Sequence, residues 1–323
     1  MVKLRNEDNG IASLIKRGSP IFIFVGLFIF MSLSSEYFFK WSNIMNVTRQ
    51  SAVLGTLAIG QAFVIMSAGI DLSVGSIMAM SGCTIAVGVT QWGVPPILAV
   101  LIAISVALTI GLINGLLIIK FKLYDFIATL GVKTAVDGVS LLITNGLPIS
   151  GLPEELLYIG NGKLPGGIPF AAIAFSIVAI MGIIVLNYTT FGRNVLAIGG
   201  NKEASRVSGI NVVRTKIVTM MLSGLCCGIG GIIMLGRLNS ANALMGSNME
   251  LNSIAAVVLG GTSINGGQGS IGGTIIGIMT MGVLQNGLEL LSITAFWQKV
   301  VLGIVILAVV TLDTFRRDKL LQA

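Results

Sequence analysis

The chain has 323 residues, of which 54% are hydrophobic and only 10% charged, with a net charge of +7 and a mean hydropathy of +0.94. Soluble domains carry roughly 25% charged residues, so this composition excludes an ordinary soluble protein. The sequence has no histidine, the commonest transition-metal ligand and the usual proton carrier at neutral pH. These properties predict a polytopic all-α membrane protein and argue against a metalloenzyme.

Apolar runs divide the chain into about ten transmembrane helices, because about 20 residues are needed to cross the hydrocarbon core. The predicted spans are 20–35, 49–67, 74–91, 95–119, 124–145, 167–187, 215–236, 251–264, 271–290 and 295–312. The eighth is too short for a full crossing, which indicates a tilted or broken helix. We expect three regions: a cytoplasmic N-terminal segment 1–19, a transmembrane domain 20–312 and a cytoplasmic tail 313–323.

Lysine and arginine set the predicted orientation. With a cytoplasmic N-terminus and alternating spans, 14 of the 20 cations fall inside and five outside. The inner cations are Lys3, Arg5, Lys16, Arg17, Lys120, Lys122, Arg193, Lys202, Arg206, Arg214, Lys216, Arg316, Arg317 and Lys319. The outer ones are Lys40, Arg49, Lys163, Arg237 and Lys299. This bias follows the positive-inside rule. It predicts a multi-pass membrane protein with both termini cytoplasmic, and the positive charge needs no nucleic-acid partner.

Two connections between spans are unusually long. The segment 146–166 contains three prolines and several glycines, which predicts an irregular outer loop with one short helix at 153–158. The segment 188–214 is polar and lies on the cytoplasmic side. Spans 2–5 and 7–10 suggest an inverted repeat, as in many transporters, because the glycine-rich turns 69–79 and 261–273 occupy similar positions. Glycine-rich turns alone can also produce that similarity.

The cytoplasmic segment contains a miniature helix with its own start and stop. Asn201 is a good N-cap residue, and Gly209 suits a left-handed C-terminal stop. Glu203 lies near the positive end of the helix dipole and Arg206 near its negative end. Lys202–Ser208 is too short to be stable alone in water. Two interpretations remain open at this point: an ordinary cationic loop, or a docking helix for a cytosolic protein.

Three motifs resemble one protein family. The segment 199–211, GGNKEASRVSGIN, is similar to the coupling loop of bacterial sugar ABC-importer permeases, the ribose permease group. The motifs GIDLSVGS at 69–76 and AAVVLGGTS at 255–263 agree with that family in order and spacing. The resemblance extends from about residue 45 to the C-terminus.

The resemblance implies a permease subunit of the bacterial inner (plasma) membrane that pairs with a second permease subunit, in a homodimer or with a close relative. Cytosolic ATPase subunits, which carry ATP and magnesium, dock on the coupling helices, and a periplasmic sugar-binding protein delivers a monosaccharide. This chain itself is expected to bind no cofactor and to catalyse no reaction. The residues that match the coupling motif are Gly200, Asn201, Glu203, Ala204, Arg206, Ser208 and Gly209.

The chain lacks the phosphate-binding motif GxxxxGK(S/T), so an energised transporter must take energy from a partner or an ion gradient. An ion-coupled secondary carrier of a small polar solute is therefore the alternative function, and a non-transporting membrane scaffold is a third. For the carrier, Asp71 and the pair Lys133 and Asp137 are the candidate ion sites. Lys133 and Asp137 are four residues apart on one helix face, and we favour a structural pair between them.

Polar residues within or beside the spans are candidates for the translocation path. Their side chains offer hydrogen bonds to sugar hydroxyls, although such residues also bridge neighbouring helices. The path candidates are Gln61, Asp71, Ser73, Asn114, Asn145 and Asn265. For Asp71, capping of the third span is an equally good interpretation.

Overall fold

The computed structural model describes residues 10–321, so parts of the predicted terminal segments 1–19 and 313–323 lie outside the described residues. The described chain is a helical membrane-type bundle, which confirms the predicted fold class. Its helices are α1 Gly10–Ser34, α2 Trp41–Met66, α3 Val74–Thr90, α4 Pro96–Lys120, α5 Asp125–Thr144, α6 Glu154–Asn161, α7 Phe170–Tyr188, α8 Thr190–Gly200, α9 Lys202–Val207, α10 Val212–Leu238, α11 Met249–Leu259, α12 Ile271–Leu290 and α13 Ala295–Leu321. Two short strands, β1 Ile149–Ser150 and β2 Ser240–Ala241, pair antiparallel.

Each of the ten predicted spans coincides with one helix. By length and composition, α4, α5, α7, α10 and α12 are able to cross a membrane, and four further helices contain shorter apolar stretches. The second span begins eight residues earlier than predicted, at Trp41. Trp41 donates its indole N–H to the Gly166 carbonyl at 3.0 Å, a contact that hydropathy does not reveal. The predicted short helix in the segment 146–166 is α6, which is slightly longer than expected.

The bundle has two distinct ends. At one end, which we call the α9 end, the turn after α2 meets the α11–α12 connection, because Gly267 N–H donates to Met66 O at 2.9 Å. At the opposite end, which we call the α6 end, Asn161 donates to the Gly236 carbonyl at 2.7 Å. Arg49 donates to Asn161 at 3.0 Å. The grouping of connections at each end agrees with the predicted alternation of spans.

Helix α2 forms the centre of the bundle and is buried from Ser51 to Met66. Helix α10 packs against α2, α3 and α4. Its contact with α4 uses small residues on both helices: Gly111 lies against the backbone of Met220, and Gly224 lies against the backbone of Ala107. In lipid, where helices gain little from hydrophobic burial, such glycine contacts allow close backbone approach.

Two non-helical segments enter the bundle, one before α3 and one before α11, and we call them the interrupted segments. The segment between α2 and α3 turns back into the bundle before α3 begins at Val74. The segment between α10 and α11 does the same from the α6 end, and α11 has only 11 residues. At about 1.5 Å per residue, α11 is about 16 Å long and cannot cross the hydrocarbon core alone. This confirms the expectation of a broken eighth span.

The two interrupted segments meet inside the bundle. Gly75, at the start of α3, lies directly against the backbone of Gly246, just before α11. The glycine-rich turns named from the sequence also touch, because Gly266 lies against Ala68. However, the non-helical segment that precedes α11 faces the one that precedes α3. In an inverted repeat of α2–α5 and α10–α13, the segment 239–248 is therefore the better counterpart of 67–73 than the segment 261–273.

The close contact between α4 and α10 generates a stability prediction. We expect Gly111→Leu to lower the stability of the folded protein by about 1–3 kcal/mol, because a larger side chain collides with the α10 backbone. Thermal unfolding in detergent measures this loss. Gly272→Leu is the matched control, since open space surrounds Gly272. Equal stability of the two variants would contradict this account of the α4–α10 contact.

Candidate functional site

Helix α9 is built by local capping, as the sequence predicts. The Asn201 side chain accepts a hydrogen bond from Ala204 N–H at 2.9 Å. At the other end, Gly209 adopts a left-handed backbone with a φ of +84°, and its N–H donates to Arg206 O at 3.1 Å. Glu203 and Arg206 lie 3.9 Å apart on the exposed surface. These contacts confirm the predicted start and stop of the helix.

The surface of α9 is exposed on almost every side. Val207 is 88% exposed, and Ala204 is exposed beside it, whereas Ser205 is the buried residue of the helix. In the isolated chain, an apolar side chain at the tip of a six-residue helix stays in contact with solvent and contributes no hydrophobic stabilisation. We call residues 200–209 the α9 surface. All seven residues predicted to couple to an ATPase lie on it.

A second helix, α8, precedes the α9 surface and was not predicted. The Thr189 hydroxyl caps it by accepting from Gly192 N–H at 3.2 Å. Its buried residues are Gly192, Val195 and Ile198. The spacing of three residues between these positions is the signal that could have identified an amphipathic helix. Because Gly199 packs against Met66 and Gly267, α8 fixes the α9 surface to the end of the bundle.

The opposite side of the α9 surface is joined to α10 by a short connection. Asn211 caps α10 by accepting from Arg214 N–H at 2.9 Å, so four residues, 208–211, separate the two helices. In the first turns of α10, Lys216 donates to Asp125 of α5 at 3.2 Å and to Ala68 O at 3.3 Å. Lys216 was predicted to be a loop cation. It is instead a buried cross-link between α2, α5 and α10.

Asp71 lies deep in the bundle and is completely buried. One carboxylate oxygen accepts from Ser73 N–H at 2.8 Å and from Ser73 Oγ at 2.6 Å. The other accepts from Ser223 Oγ at 2.9 Å. Asn114 donates in turn to Ser73 Oγ at 2.8 Å. Ser73 precedes the first residue of α3, so Asp71 orders the turn before the helix and ties α3 to α4 and α10.

The six predicted path residues do not form one site. Asp71, Ser73 and Asn114 are connected as described. Gln61 is buried in α2, and neither of its side-chain polar atoms has a hydrogen-bond partner in the described chain. Asn145 is exposed at the α6 end of α5, and Asn265 is exposed at the α9 end. Within one subunit, these two residues therefore lie at opposite ends of the bundle.

The predicted pair between Lys133 and Asp137 is wrong. Lys133 of α5 forms its ion pair with Glu250 in the first turn of α11. A lysine that precedes an acidic residue by four positions has the less favourable orientation on a helix, and the fold supplies a second carboxylate from a distant segment. Sequence spacing gives no signal for this contact, because the two residues are 117 positions apart.

The Asp71 network generates a prediction about stability. Asp71→Asn replaces an acceptor of three hydrogen bonds by an amide that brings its own donors. We expect a loss of about 1–3 kcal/mol, because the amide N–H₂ leaves one of the buried donors without an acceptor. Thermal unfolding in detergent measures it, with Asp137→Asn as the control on a half-buried carboxylate. Asp71→Asn that unfolds like the unaltered protein would show that the network contributes little.

Comparisons with known proteins agree with this architecture. Residues 43–310 match the family model described as "Branched-chain amino acid transport system / permease component". The chain is 45% identical to the ribose import permease protein of Bacillus subtilis, covering 90% of this chain and 91% of the relative. It is 37% identical to the D-allose transport system permease protein of Escherichia coli, over 92% and 91% of the two chains.

The chain is also 33% identical to the xylose transport system permease protein of Haemophilus influenzae, covering 86% of this chain and 90% of the relative. No solved structure matches the chain significantly. The family match covers the helices from α2 into α13, including the α9 surface and both interrupted segments. The chain therefore belongs to this permease family, and its sugar-import relatives confirm the resemblance given by its three motifs.

Proposed function

We propose that this chain is the permease subunit of an ATP-driven monosaccharide importer, and that the α9 surface couples it to a cytosolic ATPase. The observation that carries the proposal is the exposure of Val207 and Ala204 on a helix that is capped at both ends. A helix of six residues is not stable alone in water. A partner that covers its apolar side supplies the stabilisation that the helix lacks.

The choice of a monosaccharide follows the relatives, whose names specify ribose, D-allose and xylose. The charge bias of the loops supports a cytoplasmic location for the α9 surface and for both chain termini. The remaining partners are those that the family resemblance implies: a second permease subunit, a periplasmic sugar-binding protein, and ATPase subunits that hold ATP and magnesium.

Transport then needs a mechanical connection between the ATPase and the bundle. Helix α9 is joined to α10 by residues 208–211, and α10 contacts α2, α3 and α4. The cross-link from Lys216 to Asp125 and Ala68 O adds α5 and the end of α2 to the same unit. In this mechanism, ATP-driven movement of the docked subunits tilts α10 and the helices attached to it. The sugar passes when the two permease subunits separate at alternate ends.

The docking role predicts a specific effect of one surface substitution. Val207→Asp places a charge on the apolar side of α9 without disturbing the bundle, because Val207 is 88% exposed. We expect loss of the ATPase subunits on co-purification and at least about tenfold lower sugar uptake, since a buried unpaired charge at an interface costs several kcal/mol. Removal of residues 201–209 should have the same effect and leave membrane insertion intact.

The matched control is Leu147→Asp, at the α6 end, where Leu147 is 66% exposed. This variant should retain the ATPase subunits. Normal recovery of the ATPase with Val207→Asp and with the 201–209 deletion would overturn the docking role of the α9 surface.

The energy source separates this function from an ion-coupled carrier. Proteoliposomes that contain the assembled complex should take up ribose when ATP and the binding protein are supplied. An uncoupler should leave that uptake unchanged, because ATP hydrolysis drives the cycle and no ion gradient is used. Uptake that collapses with the uncoupler while ATP is maintained would contradict the proposal.

A further inference from the structure

The ion pair between Lys133 and Glu250 lies within the membrane-spanning part of the bundle. Lys133 is eight residues from Asp125, the first residue of α5, which places it about 12 Å from the α9 end. The side chain of Glu250 is 6% exposed and that of Lys133 is 27% exposed. Charged residues at such depth are costly and generally face a polar cavity or a transport path.

The pair is incompletely satisfied. Glu250 Oε2 is buried and has no hydrogen-bond partner in the described chain, and it lies close to Gly75 at the start of α3. A permanent structural ion pair in a low-dielectric interior needs additional hydrogen bonds to offset the desolvation of both charges. On the Glu250 side, the free oxygen leaves the pair without such an additional bond.

Helix α11, which carries Glu250, lies between two non-helical connections. Asn239 and Asn248 have left-handed backbones before it, and Gly261 has one after it. At the α9 end, Gly260 of this segment packs backbone to backbone against Gly273 of α12. The deep end of α11 is held by the contact of Glu250 with Lys133, together with the contact between the segments before α3 and α11.

We propose that Lys133 and Glu250 form a latch that opens in each transport cycle and closes the path in the present conformation. When the latch opens, α11 swings about its connections, and the pair exchanges its mutual contact for hydrogen bonds with the hydroxyls of a sugar. Lys133 supplies donors, and Glu250 supplies two acceptor oxygens. The latch rests on the proposed function, because it requires a hydroxyl-rich solute that passes between the two permease subunits and reaches Lys133 on α5 and Glu250 on α11.

The test fixes the latch in its closed state. The double variant Lys133→Cys/Glu250→Cys is treated with a short bifunctional methanethiosulfonate, because the long lysine chain leaves the Cβ atoms too far apart for a direct disulfide. We expect cross-linking to reduce ribose uptake and binding-protein-stimulated ATP hydrolysis at least about tenfold, as expected when a required conformational step is blocked. A reductant should restore both. Mass spectrometry of the linked α5 and α11 peptides measures the extent of cross-linking.

The single variants Lys133→Cys and Glu250→Cys are the controls, since they contain the same buried Cys83, Cys226 and Cys227 but cannot join α5 to α11. Full uptake and full hydrolysis by completely cross-linked protein would overturn the latch. Absence of ATP-dependent ribose uptake by the unaltered complex would instead overturn the proposed function, and the hydrolysis measurement would still report on the latch.

If the double cysteine variant fails to insert, Lys133→Gln/Glu250→Gln replaces it. This variant removes both charges and keeps similar shapes. We expect ATP hydrolysis without the binding protein to rise severalfold, because α11 is no longer held closed and the cycle starts without delivery of sugar. Unchanged basal hydrolysis in a folded complex would overturn the latch as well.

Discussion

The hydrocarbon interior supplies no water to the backbone, and this constraint governs every interruption in the bundle. Where α2 ends, the chain turns back inward, and several backbone groups that leave the helix find protein partners. Leu72 N–H donates to Thr129 Oγ1 at 3.1 Å, and Ser73 N–H donates to Asp71. Lys216 covers the Ala68 carbonyl. The buried polar residues are thus the means by which the chain departs from helical geometry inside a membrane.

The same constraint explains why glycine is concentrated where segments meet. Gly75 and Gly246 bring two non-helical segments into backbone contact, and a side chain at either position would collide with the opposite carbonyl. The bundle therefore combines two types of connection. Polar side chains satisfy the interrupted backbone, and glycines let the interrupted segments approach. Both types converge on α3 and α11, the two shortened helices that lie between the long ones.

Much of this architecture could be predicted from the sequence. Hydropathy located all ten apolar helices, because most of the runs approach the length that the thickness of the membrane requires. The start and end of α9 were also predictable, since Asn201 and Gly209 act through contacts with residues at most three positions away. Local chemistry of this type is visible in the sequence regardless of the fold.

Contacts between distant segments were not predictable in the same way. The pairing of Lys133 with Glu250 depends on a re-entrant segment whose depth no local pattern encodes. Lys216 counted as a loop cation from its position in the charge pattern, whereas the fold places its long side chain beneath the end of α2. Helix α8 was missed for a different reason: its few buried positions lie among glycines and polar residues, so the segment has the composition of a loop.

The connection between α9 and α10 has a mechanical consequence. Four residues, 208–211, separate the helices, and caps at Gly209 and Asn211 stiffen that corner at both ends. A force applied at Val207 is transmitted to α10 with little bending of this connection. The efficiency with which the subunit converts a push at its surface into motion at its centre is therefore determined by the rigidity of this corner.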